Sequence, residues 1–142
     1  KPADVEKLKE QFANRCDLAK KGDCFRCLDQ KGQDAMAKAC ASKDGEGPEV
    51  DCEDESNSRC ITGPRGSVCG WTDPRGNRKI HLCMNQTTAC PDQGCTLLHE
   101  AGHCVGGVGP DVNVLAPDNK AYAIEKCAGC DVSSDIKLPR GY

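Results

Sequence analysis

Three residues, His99, Glu100 and His103, have the types and the spacing that metal-assisted hydrolysis requires. Four residues make about one turn of an α-helix, so the two imidazoles project from the same helix face. They can then approach one zinc ion at the ~2.0–2.1 Å of zinc–nitrogen bonds. Glu100 stands beside the first imidazole, where it can take a proton from a zinc-bound water and later return it to a leaving amine. The motif therefore predicts a zinc cofactor and a peptide or protein substrate.

A catalytic zinc usually has three protein ligands and keeps a fourth position for water, so the two histidines need a partner. Asp111 follows the glycine-rich residues 106–110, which permit a tight reversal of the chain after the helix. We predict Asp111 as the third ligand. Glu125, on a later predicted helix, is the rival candidate, and His81, on a predicted strand, is a weaker one.

The sequence around these residues resembles the aspzincin group of zinc peptidases, which includes deuterolysin and the peptidyl-Lys metalloendopeptidases. Residues 97–103 read Leu-Leu-His-Glu-Ala-Gly-His, and a glycine-rich turn and Asp111 follow. Residues 118–123 are similar to the Asn/Asp-x-x-Tyr helix that packs behind such sites. The specific resemblance covers residues 78 to about 127. It implies a zincin-like fold, endopeptidase activity, and residues 80–83 as an edge strand that lines the substrate.

The chain departs from the aspzincin pattern at one position. The family places a tyrosine three residues after the aspartate, where it stabilises the oxyanion, and this chain has Val114 there. We predict that Tyr122 does this work. Two alternatives remain: a weak or inactive zincin-fold protein with a binding or structural role, and a delivered effector or toxin peptidase with one narrow protein substrate.

Two helices are predicted in the N-terminal part of the chain. Residues 4–19 have apolar side chains at helical spacing, and Lys21-Gly22-Asp23 ends this helix. A second helix is predicted over residues 24–41, forming a helical hairpin with the first. The hairpin is tied in an unknown pairing by some of Cys16, Cys24, Cys27 and Cys40. Residues 42–58 are rich in Gly, Asp, Glu and Ser and predict a solvated loop.

The next segments predict a small antiparallel sheet. Strands are expected over residues 59–62, 67–71 and 78–84, because two strong turn sequences separate them. The histidine-bearing helix follows and ends at Gly106-Gly107, and a last helix is expected over residues 118–127. These elements predict a single α+β domain, zincin-like, over residues 1–142.

Thirteen of the 142 residues are cysteine, while the chain has only two Phe, one Trp and two Tyr. So thin a core needs covalent or metal staples to offset chain entropy. Cysteine-rich chains are stable in oxidising compartments, so we expect a disulfide-rich, secreted protein. An odd number of cysteines leaves at least one outside the internal pairs.

Neighbouring cysteines suggest two disulfides, Cys60–Cys69 and Cys90–Cys95, although sequence alone does not fix any pairing. Two Cys-x-x-Cys segments, at residues 24–27 and 127–130, are poor redox motifs because no βαβ pattern surrounds them. The two segments could alternatively bind one structural zinc ion together. Ordinary disulfide membership is the simpler expectation for both.

The formal net charge of −3 gives no reason to expect a nucleic-acid partner. No apolar run approaches the ~18 residues that a membrane span requires, so no membrane partner is expected either. Residues 1–4 open directly into a charged segment without the character of a secretory signal, as in a mature or excised domain.

Overall fold

The computed structural model describes residues 2–41, 48–64, 67–72, 79–108 and 120–132. These residues form four α-helices, two short 3₁₀ turns and a three-stranded sheet, so the predicted α+β class is confirmed. The α-helices are α1 (Pro2–Lys21), α2 (Gln30–Ala41), α3 (Gln93–Cys104) and α4 (Lys120–Cys127). The strands are β1 (Glu49–Glu53), β2 (Gly70–Thr72) and β3 (Lys79–Cys83).

The two N-terminal helices are joined by a tight turn. Asp23 adopts a left-handed conformation with φ 52°, and residues 24–27 form a 3₁₀ turn rather than the start of the second helix. The predicted helix over residues 24–41 was therefore too long. The Asp29 side chain accepts a hydrogen bond from the Gly32 backbone N–H at 2.7 Å, and α2 begins at this cap. The disulfide Cys16–Cys40 then ties α2 to α1.

The sheet is mixed, with strand order β1-β3-β2. Strand β1 runs parallel to β3, and β2 runs antiparallel to it. The predicted antiparallel meander was wrong in two places. Strand β1 lies within residues 42–58, predicted as a loop, and the predicted strand over residues 59–62 is mostly replaced by a 3₁₀ turn, Ser58–Cys60. The Asn57 side chain caps that turn by accepting a hydrogen bond from the Arg59 backbone N–H.

Helix α3, which bears the histidine motif, lies at the centre of the molecule. Every residue from Gln93 to Gly102 is buried. Gly94 allows α3 to approach α1, because a Cβ there would lie 2.5 Å from the Gln11 carbonyl oxygen. The larger core side chains come from both helical and strand segments: Leu8, Phe25, Leu28, Met36, Ile80, Leu82, Leu98 and Ile124.

Ten of the thirteen cysteines form five disulfides: Cys16–Cys40, Cys24–Cys127, Cys60–Cys83, Cys69–Cys90 and Cys95–Cys130. The suggested pairs Cys60–Cys69 and Cys90–Cys95 were wrong, because each of these cysteines faces a more distant part of the chain. One disulfide joins the two Cys-x-x-Cys segments to each other, through Cys24 and Cys127. Three cysteines lie outside the disulfides: Cys27, Cys52 and Cys104.

Five disulfides are compatible with an oxidising compartment, where such bonds persist. In the part of the chain that the structure describes, no helix has both the length and the apolar character needed to cross a membrane.

Candidate active site

Helix α3 holds His99 and His103 in fixed positions, because its start is anchored firmly. Asp92 caps the helix by accepting a hydrogen bond from the Cys95 backbone N–H at 3.2 Å. Arg15 of α1 donates two hydrogen bonds to Oδ2 of Asp92, from Nε at 3.1 Å and from Nη2 at 2.9 Å. It donates a third, at 3.0 Å, to the Ala128 carbonyl just beyond α4. One guanidinium therefore links α1 and the end of α4 to the start of the histidine helix.

The two histidines point their Nε2 atoms at each other, 3.1 Å apart. Their Nδ1 atoms have partners outside this gap. Nδ1 of His99 lies 3.2 Å from Oε2 of Glu125, and Nδ1 of His103 lies 3.4 Å from the Val108 carbonyl oxygen. A carbonyl or a carboxylate can only accept, so each ring nitrogen donates its proton outward. In the neutral rings, both Nε2 lone pairs are then directed into the same gap.

This arrangement fits a zinc ion. Two lone pairs 3.1 Å apart repel each other unless a proton or a cation lies between them. Two zinc–nitrogen bonds of ~2.0–2.1 Å at a tetrahedral angle would separate their nitrogens by roughly 3.3–3.4 Å. The observed separation is close to this value. A carboxylate on the outer nitrogen of a metal-binding histidine is also a common arrangement, because it fixes the tautomer and the ring orientation.

The structure describes two of the three candidates for a third ligand, Glu125 and His81. Asp111 falls outside the described residues, as does Val114. Glu125 is buried on α4 and contacts the outer nitrogen of His99, which is the position of a supporting carboxylate. His81 faces Glu53 on the sheet instead. Within the described ranges, the only group of three or more ligand-type side chains with converging atoms is the one that contains His81.

The predicted base and the predicted oxyanion donor line one cleft with His99. Glu100 is buried, with 8% of its surface exposed. Tyr122, on α4, meets the His99 ring edge-to-face with ring centroids 4.5 Å apart. The cleft has a volume of about 570 Å³, and Glu125 also contributes to its wall. This volume lies within the range of ordinary ligand-binding clefts.

Residues 67–70, which lead into β2, also line the cleft. Strand β2 is at one edge of the described sheet, whereas β3 is its central strand. The expectation that residues 80–83 form the substrate-lining edge strand was therefore wrong. Strand β3 is central because β1 pairs with it along the edge that β2 does not occupy.

Sequence reasoning missed a second group of ligand-type side chains, formed by Asp51, Glu53 and His81. They lie on β1 and β3, on the face of the sheet turned away from buried Ile80 and Leu82, which is called the outward face below. The sequence feature that could have revealed them is in β1, where acidic residues alternate with Val50 and Cys52 at the two-residue period of a strand. The dominance of acidic residues in residues 44–55 hid that alternation.

The cysteines outside the disulfides add no nucleophile to the cleft. Burial of its sulfur raises the pKa of the Cys52 thiol above its ordinary value, and the nearby charge of Asp51 acts in the same direction. A thiol with a raised pKa is a poor nucleophile, because the thiolate is the reactive form. None of Cys27, Cys52 and Cys104 is among the residues that line the cleft.

No protein-family model, curated protein or solved structure matches this chain. The chemistry of the side chains around His99 and His103 therefore carries the functional proposal.

Proposed function

We propose that this chain is a zinc-dependent metalloendopeptidase with a zincin-like fold that resembles the aspzincins. The observation that carries the proposal is the pair of facing Nε2 atoms, 3.1 Å apart, of which the His99 ring lines the same cleft as Glu100. Neighbouring imidazole lone pairs suit a metal ion, and a carboxylate beside them suits proton transfer.

His99 and His103 would hold the zinc, with Asp111 as the proposed third ligand. When bound, zinc supplies Lewis acidity, which polarises the scissile carbonyl and lowers the pKa of water. Glu125 would orient His99 through its contact with Nδ1, which keeps the Nε2 lone pair directed into the site. Its role would be one of positioning, because it would act through the His99 ring.

The remaining chemistry belongs to side chains of the cleft. Glu100 would accept a proton from the attacking water and then return it to the departing amine. The hydroxyl of Tyr122 would donate a hydrogen bond to the oxyanion that forms on the scissile carbonyl. The edge of β2, beside residues 67–70, would bind an extended peptide through backbone hydrogen bonds.

We further propose that the protein is secreted. Five disulfides in 142 residues support this, because a reducing cytosol would not maintain them. A secreted enzyme would meet protein substrates in the same oxidising surroundings in which its own disulfides are stable.

The experiment compares zinc content and hydrolysis of a mixed peptide library for wild type, Glu100→Gln and Glu6→Gln. Glu6 lies on the exposed surface of α1 and does not line the cleft, so Glu6→Gln makes the same chemical change outside it. All three proteins should bind zinc stoichiometrically at the histidine pair. Glu100→Gln should lose about 10²–10⁴-fold in rate, the usual contribution of a general base.

Chelation of zinc should abolish hydrolysis by wild type and by Glu6→Gln. An equally active Glu100→Gln variant, or wild type that holds zinc without hydrolysing any peptide in the library, would contradict the proposed peptidase activity.

A further inference from the structure

We propose that the outward face of the sheet carries a second divalent-cation site, formed by Asp51, Glu53 and His81. This site is separate from the His99–His103 pair and would be present whether or not the chain is a peptidase. Its ligand atoms are one imidazole nitrogen and one oxygen from each of two carboxylates, and all three lie within 4.8 Å of one another.

The strand pairing places these side chains together. Asp51 and Glu53 are two residues apart on β1, so they project from the same face. Asp51 pairs in register with His81 on the parallel neighbour β3. Nδ1 of His81 lies 2.8 Å from Oε1 of Glu53 and 3.9 Å from Oδ2 of Asp51. Without an ion, Nδ1 of His81 donates its proton to Glu53. A bound ion would displace that proton and leave the ring hydrogen on Nε2, and bonds of ~2.0–2.2 Å could span both separations.

The imidazole is held in place before any ion binds. Trp71 of β2 stacks on the His81 ring with centroids 4.7 Å apart and an interplanar angle of 8°. The Arg59 guanidinium lies 5.0 Å from the centre of the Trp71 ring. Only 12% of the His81 side chain is exposed. A ligand with a fixed ring loses little conformational freedom when an ion binds, which favours binding.

The charges on this face also favour a cation. The outward positions of β1 carry three carboxylates, Glu49, Asp51 and Glu53. Lys79 of β3 places its ammonium 3.2 Å from Asp51 and 3.7 Å from Glu49. One ammonium balances one of these three charges. Two negative charges remain on this face, and a divalent cation held by Asp51, Glu53 and His81 would neutralise them.

The donor set indicates the kind of ion. Imidazole nitrogen suits zinc and other late transition metals, whereas calcium and magnesium prefer sites made of oxygen alone. One nitrogen and two carboxylate oxygens therefore match Zn²⁺ best. Because the ligands come from two adjacent strands, the ion would fasten β1 to the central strand β3 and act structurally.

The test measures the number of Zn²⁺ ions bound per chain, by equilibrium dialysis and metal analysis of the full chain. Wild type should bind two. The double variant Asp51→Asn with His81→Gln should bind one, and so should His99→Ala with His103→Ala. The control Glu49→Gln, which removes a neighbouring carboxylate on the same strand face, should still bind two.

A sheet-face variant that binds as many zinc ions as wild type would overturn the second site. So would a His99→Ala, His103→Ala variant that binds none. A single ion per wild-type chain that this histidine variant retains would overturn the proposed active site instead, so the two failures are distinguishable.

A second measurement keeps the inference testable if the sheet-face variant does not fold. In the His99→Ala, His103→Ala variant, ¹⁵N spectra of the remaining histidine should show the Nδ1 resonance of His81 shifting as Zn²⁺ is added. An unchanged His81 resonance would overturn the site. A shift with Ca²⁺ but not with Zn²⁺ would overturn the assignment of the ion.

Discussion

The contact between Glu125 and His99 makes a quantitative prediction about zinc affinity. Glu125 is buried on α4, and its Oε2 lies 3.2 Å from Nδ1 of His99. If this carboxylate supports a ligand without being one, Glu125→Gln should weaken zinc binding moderately and leave the site intact. Glutamine keeps the shape and an acceptor oxygen but removes the charge that strengthens the hydrogen bond.

The magnitude follows from two independent scales. A hydrogen bond to a charged group contributes about 1.5–3 kcal/mol. Loss of a supporting partner of a metal-bound histidine typically weakens metal binding by about 10–100-fold. The two scales agree, because each tenfold change corresponds to about 1.4 kcal/mol. We expect about tenfold for Glu125→Gln and a loss nearer to 100-fold for Glu125→Leu, which has no acceptor.

The assay is a competitive zinc titration against a chelator of known affinity, with Glu6→Gln as the matched surface control. An unchanged affinity in Glu125→Gln would refute the supporting role. A loss far beyond the expected range would instead make Glu125 a direct ligand. Asp111→Asn separates these cases, because it should abolish tight binding if Asp111 is the third ligand and should have little effect if Glu125 takes that place.

Three further predictions concern the fold. Alkylation of the unreduced, denatured protein should modify three cysteines, and mass mapping should place them at Cys27, Cys52 and Cys104; a different set would contradict the pairing. The double variant Cys95→Ala with Cys130→Ala should lower the free energy of unfolding by about 3–4 kcal/mol in a denaturant titration, because this disulfide closes a loop of 35 residues; an unchanged midpoint would contradict it. Gly94→Ala should lower the free energy of unfolding by about 1–3 kcal/mol or more, because the new Cβ would meet the backbone of α1. Gly63→Ala is the control, because a Cβ there would have no atom within 4 Å. Equal losses of stability in the two variants would contradict the close packing of α3 on α1.

The helices were predictable because their signals are local. The apolar spacing in α1 and the glycines after α3 can be read directly from the sequence, and both helices end close to the predicted positions. Gly107 indeed has a positive φ of 77°, as expected of a residue that follows a helix end. Helix α4, Lys120–Cys127, lies within the predicted range.

Strand β1 was not predictable in this way, because its stability comes from tertiary contacts. Its sequence, Glu-Val-Asp-Cys-Glu, has one strong strand former and three acidic residues. Pairing with β3 supplies the backbone hydrogen bonds, and Lys79 and His81 of β3 contact its acidic side chains. The partner strand is about thirty positions away, so no local pattern reveals it.

The disulfide pairing depends on the fold in the same way. Cys24 and Cys127 are separated by 103 positions and meet only because α4 packs beside the 3₁₀ turn after α1. In the candidate site, the helical spacing predicted that His99 and His103 share a face, and the Nε2 separation agrees with it. The position of Glu125 at the outer nitrogen depends on how α4 packs against α3, which helical periodicity does not encode.

The most direct test of the proposed active site is a zinc-edge anomalous difference map from crystals of the full chain. We predict a peak between Nε2 of His99 and Nε2 of His103, within about 2.0–2.1 Å of each nitrogen, with a carboxylate completing the protein ligands. Crystals grown with zinc that show no anomalous peak between these two nitrogens would contradict it.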